Sequence, residues 1–220
     1  MNVVLTFTEE VLGVSSANPD VVREFIASKR PKGVDEDELE SLPEIEEEMQ
    51  RSMTVFPRFA DGRPFVWDYQ IKGFFKDACS SLRRIKEVKR NKEIIQNGTL
   101  SSKLMAHKKL IDGLLFVYPR KVPLVMPAGS SIGICERPIR CQTARGERIA
   151  LARSETVPAE TRMHFQIRLM DAKLEAVLLE WLGYGRYRGM GQWRNSGKGT
   201  FLFRAKDLVF GDGSAGNAEE

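Results

Sequence analysis

The chain has 220 residues, 42% apolar and 29% charged, which suits one domain with a sizeable core, and no apolar run approaches the ~20 residues of a membrane helix. Its net charge of +4 conceals a segregation: residues 35–48 hold nine carboxylates and no Lys or Arg, so the remainder stands at 4 + 9 = +13, a balance that favours a polyanionic partner. Cys79, Cys135 and Cys141 show no paired C-x-x-C spacing, which argues against a zinc site and fits a reducing compartment; the N-terminus lacks the cationic start and long apolar centre of a signal peptide, so the cytoplasm is the expected location.

Residues 2–8 (NVVLTFT) read as a buried first strand, dense in β-branched and aromatic side chains. Asn18-Pro19 begins a helix, with Asn18 as cap, Pro19 at the first helical position and Val21, Val22, Phe25 and Ile26 as its stripe, ending near Lys29. Lys32 to Met53 contains the acidic run. Leu39, Leu42, Ile45 and Met49 recur there at three- and four-residue steps, so a helix interrupted near Pro43 is expected. This acidic helical insertion, at about 17–53, reads either as a solvated excursion or as a flap against a neighbouring subunit's basic surface.

Thr54–Phe59 and Pro64–Trp67 flank Asp61-Gly62, a hairpin signal. Asp68–Val88 follows as a helix with Ile71, Phe74, Phe75, Ala78, Leu82 and Ile85 on one face and Cys79 in the core. Lys72, Lys76, Arg83 and Arg84 lie elsewhere on it and give it a cationic bias. Leu100–Ile111 reads as a short helix, Leu114–Tyr118 and Val122–Val125 as strands, and Ser131–Ala144 with Arg148–Ser154 as a hairpin around Arg145-Gly146-Glu147. Thr161–Met170 alternates, with Met163, Phe165, Ile167 and Leu169 on one side and Arg162, His164, Gln166 and Arg168 on a polar, cationic one. Asp171 caps a helix whose buried stripe is Leu174, Val177, Leu178 and Trp181, a last strand includes Thr200–Arg204, and Gly211–Glu220 has the composition of a disordered tail. The order predicts an α+β fold with an antiparallel sheet and two main helices, as a single domain over 1–210.

The stretch most suited to function is Gly183 to Gly199, read as a glycine-rich loop. It holds six glycines, the cations Arg186, Arg188, Arg194 and Lys198, and the rings of Tyr184, Tyr187 and Trp193, and no Asp or Glu lies between Glu180 and Asp207. Cations suit phosphate oxygens and rings offer faces for bases, while glycines allow close backbone approach. Two nucleotide motifs fail here. Gly191 to Gly197 encloses five residues where a Walker A loop needs four, and Gly183, Gly185 and Gly189 have the wrong last step for a dinucleotide fingerprint. No cofactor and no metal site is expected. Catalytic candidates reduce to His107, in a basic helix, and His164, on the polar face of a strand.

Three stretches resemble the RAMP superfamily of CRISPR-associated proteins, particularly the subunits that polymerise along guide RNA. NVVLTFTEEVLGV looks like the family's first strand and loop, PFVWDYQIKGFFKDA is similar to its approach to the first helix with a Lys-Gly pair, and GYGRYRGMGQWRNSGKGTF resembles its glycine-rich loop. The resemblance implies a ferredoxin-like, RNA-recognition-type core, RNA running past the glycine loop and the basic first helix, homo-oligomerisation along RNA, and roles for Lys72 and Gly73 at the helix start. It places neither the family's cleavage aspartate nor its processing histidine on this chain, and the acidic insertion lies outside its pattern.

The resulting expectation is a non-enzymatic, RAMP-like protein that binds single-stranded RNA as an oligomer or within a ribonucleoprotein. Lys72, Lys76, Arg83, Arg84, Arg186, Arg188, Arg194 and Lys198 would contact phosphates, and Tyr184, Tyr187 and Trp193 would stack bases. Two alternatives remain open from the residues: a metal-independent endoribonuclease using His107 or His164, and an assembly protein that docks through its acidic segment.

Overall fold

The computed structural model describes residues 1–17, 53–91, 93–143 and 146–206. The expected helix from Asn18, the acidic run 35–48 and the tail 211–220 lie outside these residues. In chain order the strands and helices are β1 (Asn2–Phe7), β2 (Val11–Leu12), β3 (Ser15–Ser16), β4 (Thr54–Val55), β5 (Phe65–Trp67), α1 (Asp68–Leu82), β6 (Val88–Arg90), β7 (Glu93–Gln96), α2 (His107–Leu114), β8 (Leu115–Tyr118), β9 (Lys121–Val125), β10 (Gly133–Thr143), β11 (Gly146–Val157), β12 (Arg162–Leu169), α3 (Glu175–Arg188) and β13 (Phe201–Lys206).

Strict alternation fixes the main sheet. In β12, Met163, Phe165 and Ile167 are buried while Arg162, His164, Gln166 and Arg168 are exposed, so one face must be covered and the other meets water. β1 has the same pattern, with Val3, Leu5 and Phe7 inward. The sheet runs β13-β1-β12-β9-β5, with β8 also on β12. Taken as β1, α1, β8, β12, α3 and β13, the chain is β-α-β-β-α-β with every neighbouring pair antiparallel and the first strand between the last and the third. That is the ferredoxin-like arrangement of an RNA-recognition-type core.

The two long helices, α1 and α3, cover the inner face. Ile71, Phe74, Phe75 and Ala78 of α1 and Val177, Leu178, Trp181 and Leu182 of α3 join the sheet's inward residues in one core. Phe75 meets Trp181 with ring centroids 5.9 Å apart, and Phe201 of β13 is struck edge-on by Phe74 at 5.3 Å and Phe7 at 5.9 Å, geometries that add to simple area burial. Cys79 is fully buried, as its position on α1 requires. None of the described helices is long and apolar enough to cross a membrane.

A second sheet, β10-β11-β4-β3 with β2 on β11, stands beside the first. Its long hairpin pairs Gly133 with Thr156 at one end and Thr143 with Gly146 at the other, close to the turn expected at Arg145-Gly146-Glu147. The Ala17 N–H donates to the Met53 carbonyl at 2.9 Å next to the β3–β4 pair, so the two residues flanking 18–52 are held together.

Three sequence expectations are corrected. The helix expected to reach Val88 stops at Leu82, because the Thr99 hydroxyl donates to the Leu82 carbonyl at 2.7 Å and the chain turns back into the β6–β7 pair. Ile85, assigned to the buried stripe, is therefore 38% exposed. The single helix expected over Leu100–Ile111 is a short 3₁₀ turn, Leu100–Lys103, then α2, separated by Ala106 in the left-handed region at φ 47. The Glu180 carboxylate fixes that turn by accepting from the N–H of Leu100 at 2.8 Å and of Ser101 at 3.0 Å. Finally, the hairpin expected around Asp61-Gly62 is shorter than its flanking runs: the arms pair at Arg58 and Pro64, with the Phe59 N–H donating to the Arg63 carbonyl and the Phe65 N–H to the Pro57 carbonyl at 2.9 Å, while β4 joins the second sheet and β5 pairs with β9.

Gly185 offers a sharp check of α3's position. A Cβ there would lie 2.0 Å from the Phe201 ring, whereas one at Gly183 meets nothing within 4 Å. Gly185→Ala is expected to destabilise by about 1–3 kcal/mol through overpacking, while Gly183→Ala is neutral or stabilising by up to about 1 kcal/mol from helix propensity. Thermal denaturation followed by circular dichroism compares them directly.

Candidate nucleic-acid interface

The Gly183–Gly199 stretch is two structures rather than one loop, which corrects the sequence reading. Helix α3 continues through Gly183 and Gly185 to Arg188, and the loop proper begins at Gly189. The two glycines do not break the helix because packing replaces what propensity withholds: the Phe201 ring occupies the space beside Gly185. Arg186 and Arg188 in the last turn also complement the negative end of the helix dipole.

The loop is zipped at its base. Met190 N–H donates to the Gly199 carbonyl and Gly199 N–H to the Glu10 carbonyl, both at 2.8 Å. Gly199, at φ 71, sits where a Cβ would be 1.9 Å from the Met190 carbonyl oxygen, and Gly189, at φ 70, where it would be 2.5 Å from that of Lys198. These glycines serve the protein's own close backbone contacts, not the approach of a ligand. Gly197, with open space around it, is the exception in the loop.

Asp77 on α1 ties the loop to the first helix. It accepts from Arg188 Nε at 2.9 Å and Arg194 Nη1 at 2.7 Å, and Arg188 also reaches Asn195 Oδ1 at 2.9 Å. Burial opposes the charge on Asp77, but the bonds and fields of the two guanidiniums together outweigh it and hold the carboxyl below the usual aspartate range. Gly73 and Asp77 of α1 and Met190 and Arg194 of the loop then face one another across a cleft of about 230 Å³. Helix α1 and the cationic loop are thus adjacent, although α1, ending before Arg83 and Arg84, balances Lys72 and Lys76 against Asp68 and Asp77 and is not the basic helix expected.

Around this junction the candidate side chains separate into engaged and free. Lys198 pairs with Glu10 at 2.6 Å, which raises the lysine's pKa and lowers the carboxylate's. Trp193, in the left-handed region at φ 54, is 39% exposed, with the Arg137 guanidinium of β10 5.5 Å from its ring centroid. Arg137 also donates to Gln192 Oε1 at 2.6 Å and keeps one buried Nη1 without an acceptor. Tyr187 is 72% exposed beneath Arg186, whose guanidinium lies 5.4 Å from the ring centroid. Tyr184 instead packs half-buried against the core.

Elsewhere on α1 the cations turn towards α2 and β8. Lys76 pairs with Asp112 at 2.5 Å, and Lys72 lies over the Phe116 ring at 4.9 Å, where burial lowers its pKa. Arg83 reaches His107, and Arg84 is exposed at the end of the helix. His107 is buried, with Nδ1 3.0 Å from Arg83 Nη1 and Nε2 2.9 Å from Ser80 Oγ, and burial lowers its pKa. Arginine only donates, so Nδ1 accepts, Nε2–H donates to Ser80, and the Ser80 hydroxyl donates to the Lys76 carbonyl at 2.7 Å. Both ring nitrogens are occupied in a structural chain. His164 stands apart on the exposed face of the main sheet. Among the described residues no group of three or more His, Cys, Asp or Glu is gathered as a metal site.

Sequence reasoning missed Asp77 and Arg137. Asp77 follows Lys76 in the middle of α1, away from the helix start where Asp68 has an ordinary place, a usable signal; Arg137 carried none, because only the fold brings β10 to the loop.

No family model and no curated protein matches the chain. Among solved structures it is similar to a chain of a Type IV-B CRISPR complex, with a TM-score of 0.50 and 13% identity over 99% of this chain and 94% of that one. It also matches a chain of the Type III-B Cmr-beta complex bound to cognate target RNA, with a TM-score of 0.45 and 11% identity, covering 93% of this chain and 58% of that one. The Type IV-B likeness, over nearly the whole of both chains, is one of fold.

Proposed function

We propose that the chain is a single-stranded-RNA-binding subunit of a CRISPR-type ribonucleoprotein, oligomerising along the RNA and gripping it where α1 meets the Gly189–Thr200 loop. The observation that carries the reading is the Asp77 junction: one carboxylate sets two guanidiniums beside α1 while the rings of Tyr187 and Trp193 stay accessible in the same region. Arg186, exposed, and the half-buried Arg137 beside Trp193 supply the phosphate contacts, together with Arg188, Arg194 and Lys198 at the rims of their ion pairs. The RAMP-like motifs of the sequence and the fold shared with a Type IV-B CRISPR complex chain support the same assignment. The endoribonuclease alternative is disfavoured at His107, one of its two candidates, since both ring nitrogens are already hydrogen-bonded and neither is free to take a proton from a ribose hydroxyl.

Two measurements test this. Trp193→Ala should weaken binding to a fluorescein-labelled oligouridylate by roughly 5- to 150-fold, from about 1–3 kcal/mol per stacked base, with little change in melting temperature. Across a salt series, wild-type log affinity should fall against log salt with a slope of at least about −3.5, from roughly 0.7 per neutralised phosphate and about five contacts. A flat salt response, or a Trp193→Ala protein that binds as wild type does, rejects the proposal.

Asp77→Asn tests the scaffold independently of RNA. The carboxyl's folded pKa lies below the ordinary aspartate value of 3.8, so its charge stabilises the fold above that pH, and the contribution is lost as pH falls through the depressed value. The variant is expected to melt below wild type at pH 7, by the equivalent of about 1–3 kcal/mol for losing an ionic acceptor of two charge-assisted bonds. The gap should narrow below pH 3.8.

A further inference from the structure

The side of the main sheet away from α1 and α3 takes no part in the junction above, yet it carries an unbalanced charge. Arg162 and Arg168 of β12 and Arg204 and Lys206 of β13 all point to it and are exposed. Strand register places them on one surface: Arg204 lies across β1 from His164, and Lys206 lies across β1 and β12 from the half-exposed Tyr118 ring. Among the described residues none of these four cationic side chains has an ion-pair or hydrogen-bond partner, and no outward strand position on this face is Asp or Glu. Glu160 borders it, in a cleft of about 530 Å³ that also takes in Arg162, Arg204 and, round the free edge of β13, Arg186 of α3. A protein surface ordinarily intersperses the two signs, and four clustered cations with no partner among the described residues repel one another and favour an anionic ligand.

We propose that this open sheet face is a second binding surface for single-stranded RNA, continuous with the first round the β13 edge through Arg186. It rests on the reading of the chain as an RNA binder and extends it to a separate face. The arginines grip the phosphate backbone, for which the planar guanidinium is suited, and Tyr118 and His164 offer ring faces to unstacked bases. A sheet face four strands wide from β13 to β8, with the His164 ring between Arg162 and Arg168 and the Tyr118 ring at its far side, matches a nucleic-acid strand better than an acidic peptide, whose carboxylates would leave the rings unused.

The experiment uses the full chain and a fluorescein-labelled oligouridylate long enough to pass round the edge strand, with anisotropy read over a salt series. The R162A/R168A/R204A variant should bind at least about tenfold more weakly at low salt, with a salt slope shallower by about 2 from three lost contacts at roughly 0.7 each. The corresponding triple Arg→Lys variant should keep the wild-type slope. Because all three positions are exposed, melting temperatures should stay close to wild type; should the triple variant fold poorly, Arg204→Glu alone is expected to shift affinity in the same direction. An unchanged slope in the triple variant overturns the proposal. If Trp193→Ala weakens binding while the triple variant matches wild type, the RNA-binding reading stands and the second surface falls; if the wild type binds no polynucleotide, both fall. A triple variant that changes the protein's own sedimentation but not its salt slope marks the face as a protein-docking surface and likewise overturns the proposal.

Discussion

Asp77 is shared by two guanidiniums that arrive from 111 and 117 residues further along the chain. Arg188 is the last residue of α3, and Arg194 opens the short turn in the loop that follows. Without the carboxylate these two cations would face each other across the same few ångströms and repel. With it, the end of one helix, the path of a loop and the side of another helix are fixed by a single group. Asp77 and both arginines are more than two-thirds shielded from solvent, so water and salt screen the contact less than they would a surface pair. The exposure of Trp193 and Tyr187 follows from where this anchor puts the loop.

The glycines complete what the ion pairs begin. Gly189, Gly191 and Gly199 take positive φ and lie where any side chain would strike backbone. The loop is therefore held by main-chain contacts and cannot be read as a flexible lasso. A binding surface ordered in advance loses less conformational freedom when its ligand arrives. That gives the composition of the segment a physical sense: the glycines make it compact, the arginines orient it, and the rings are what remain to face outward.

Much of the fold was legible because its signals are local. The alternation of Thr161–Met170 and the stripe from Ile71 to Leu82 each declare a face within a few residues, and the structure buries those faces. What was not legible depends on distant partners. The end of α1 is set by the Thr99 hydroxyl, and the run of α3 through Gly183 and Gly185 by the Phe201 ring, neither of which a local pattern contains. The same holds at the candidate site. The sequence counts cations, but only the fold shows that Lys76, Arg188, Arg194 and Lys198 already have carboxylate partners. Arg162 and Arg168 were visible as a polar stripe, whereas Arg204 and Lys206 join them only through the register of β13 on β1.

This division between paired and unpaired cations decides what each can contribute to holding a polyanion. Electrostatic affinity for nucleic acid comes largely from counterions released when phosphates are neutralised. A guanidinium already facing a carboxylate brings less net charge to a phosphate, and moving it costs the bond it leaves. Arg188, Arg194 and Lys198 therefore bring less to each phosphate contact than a free cation would, and more of the charge available to a polyanion comes from cations with no carboxylate partner among the described residues. Among the described residues these include Arg186 and Arg84 on the helical side and Arg162, Arg168, Arg204 and Lys206 on the sheet, with Arg186 the link between the two sides. The glycine-rich segment supplies form and rings, and a cluster of exposed cations stands on the face that its motif did not advertise.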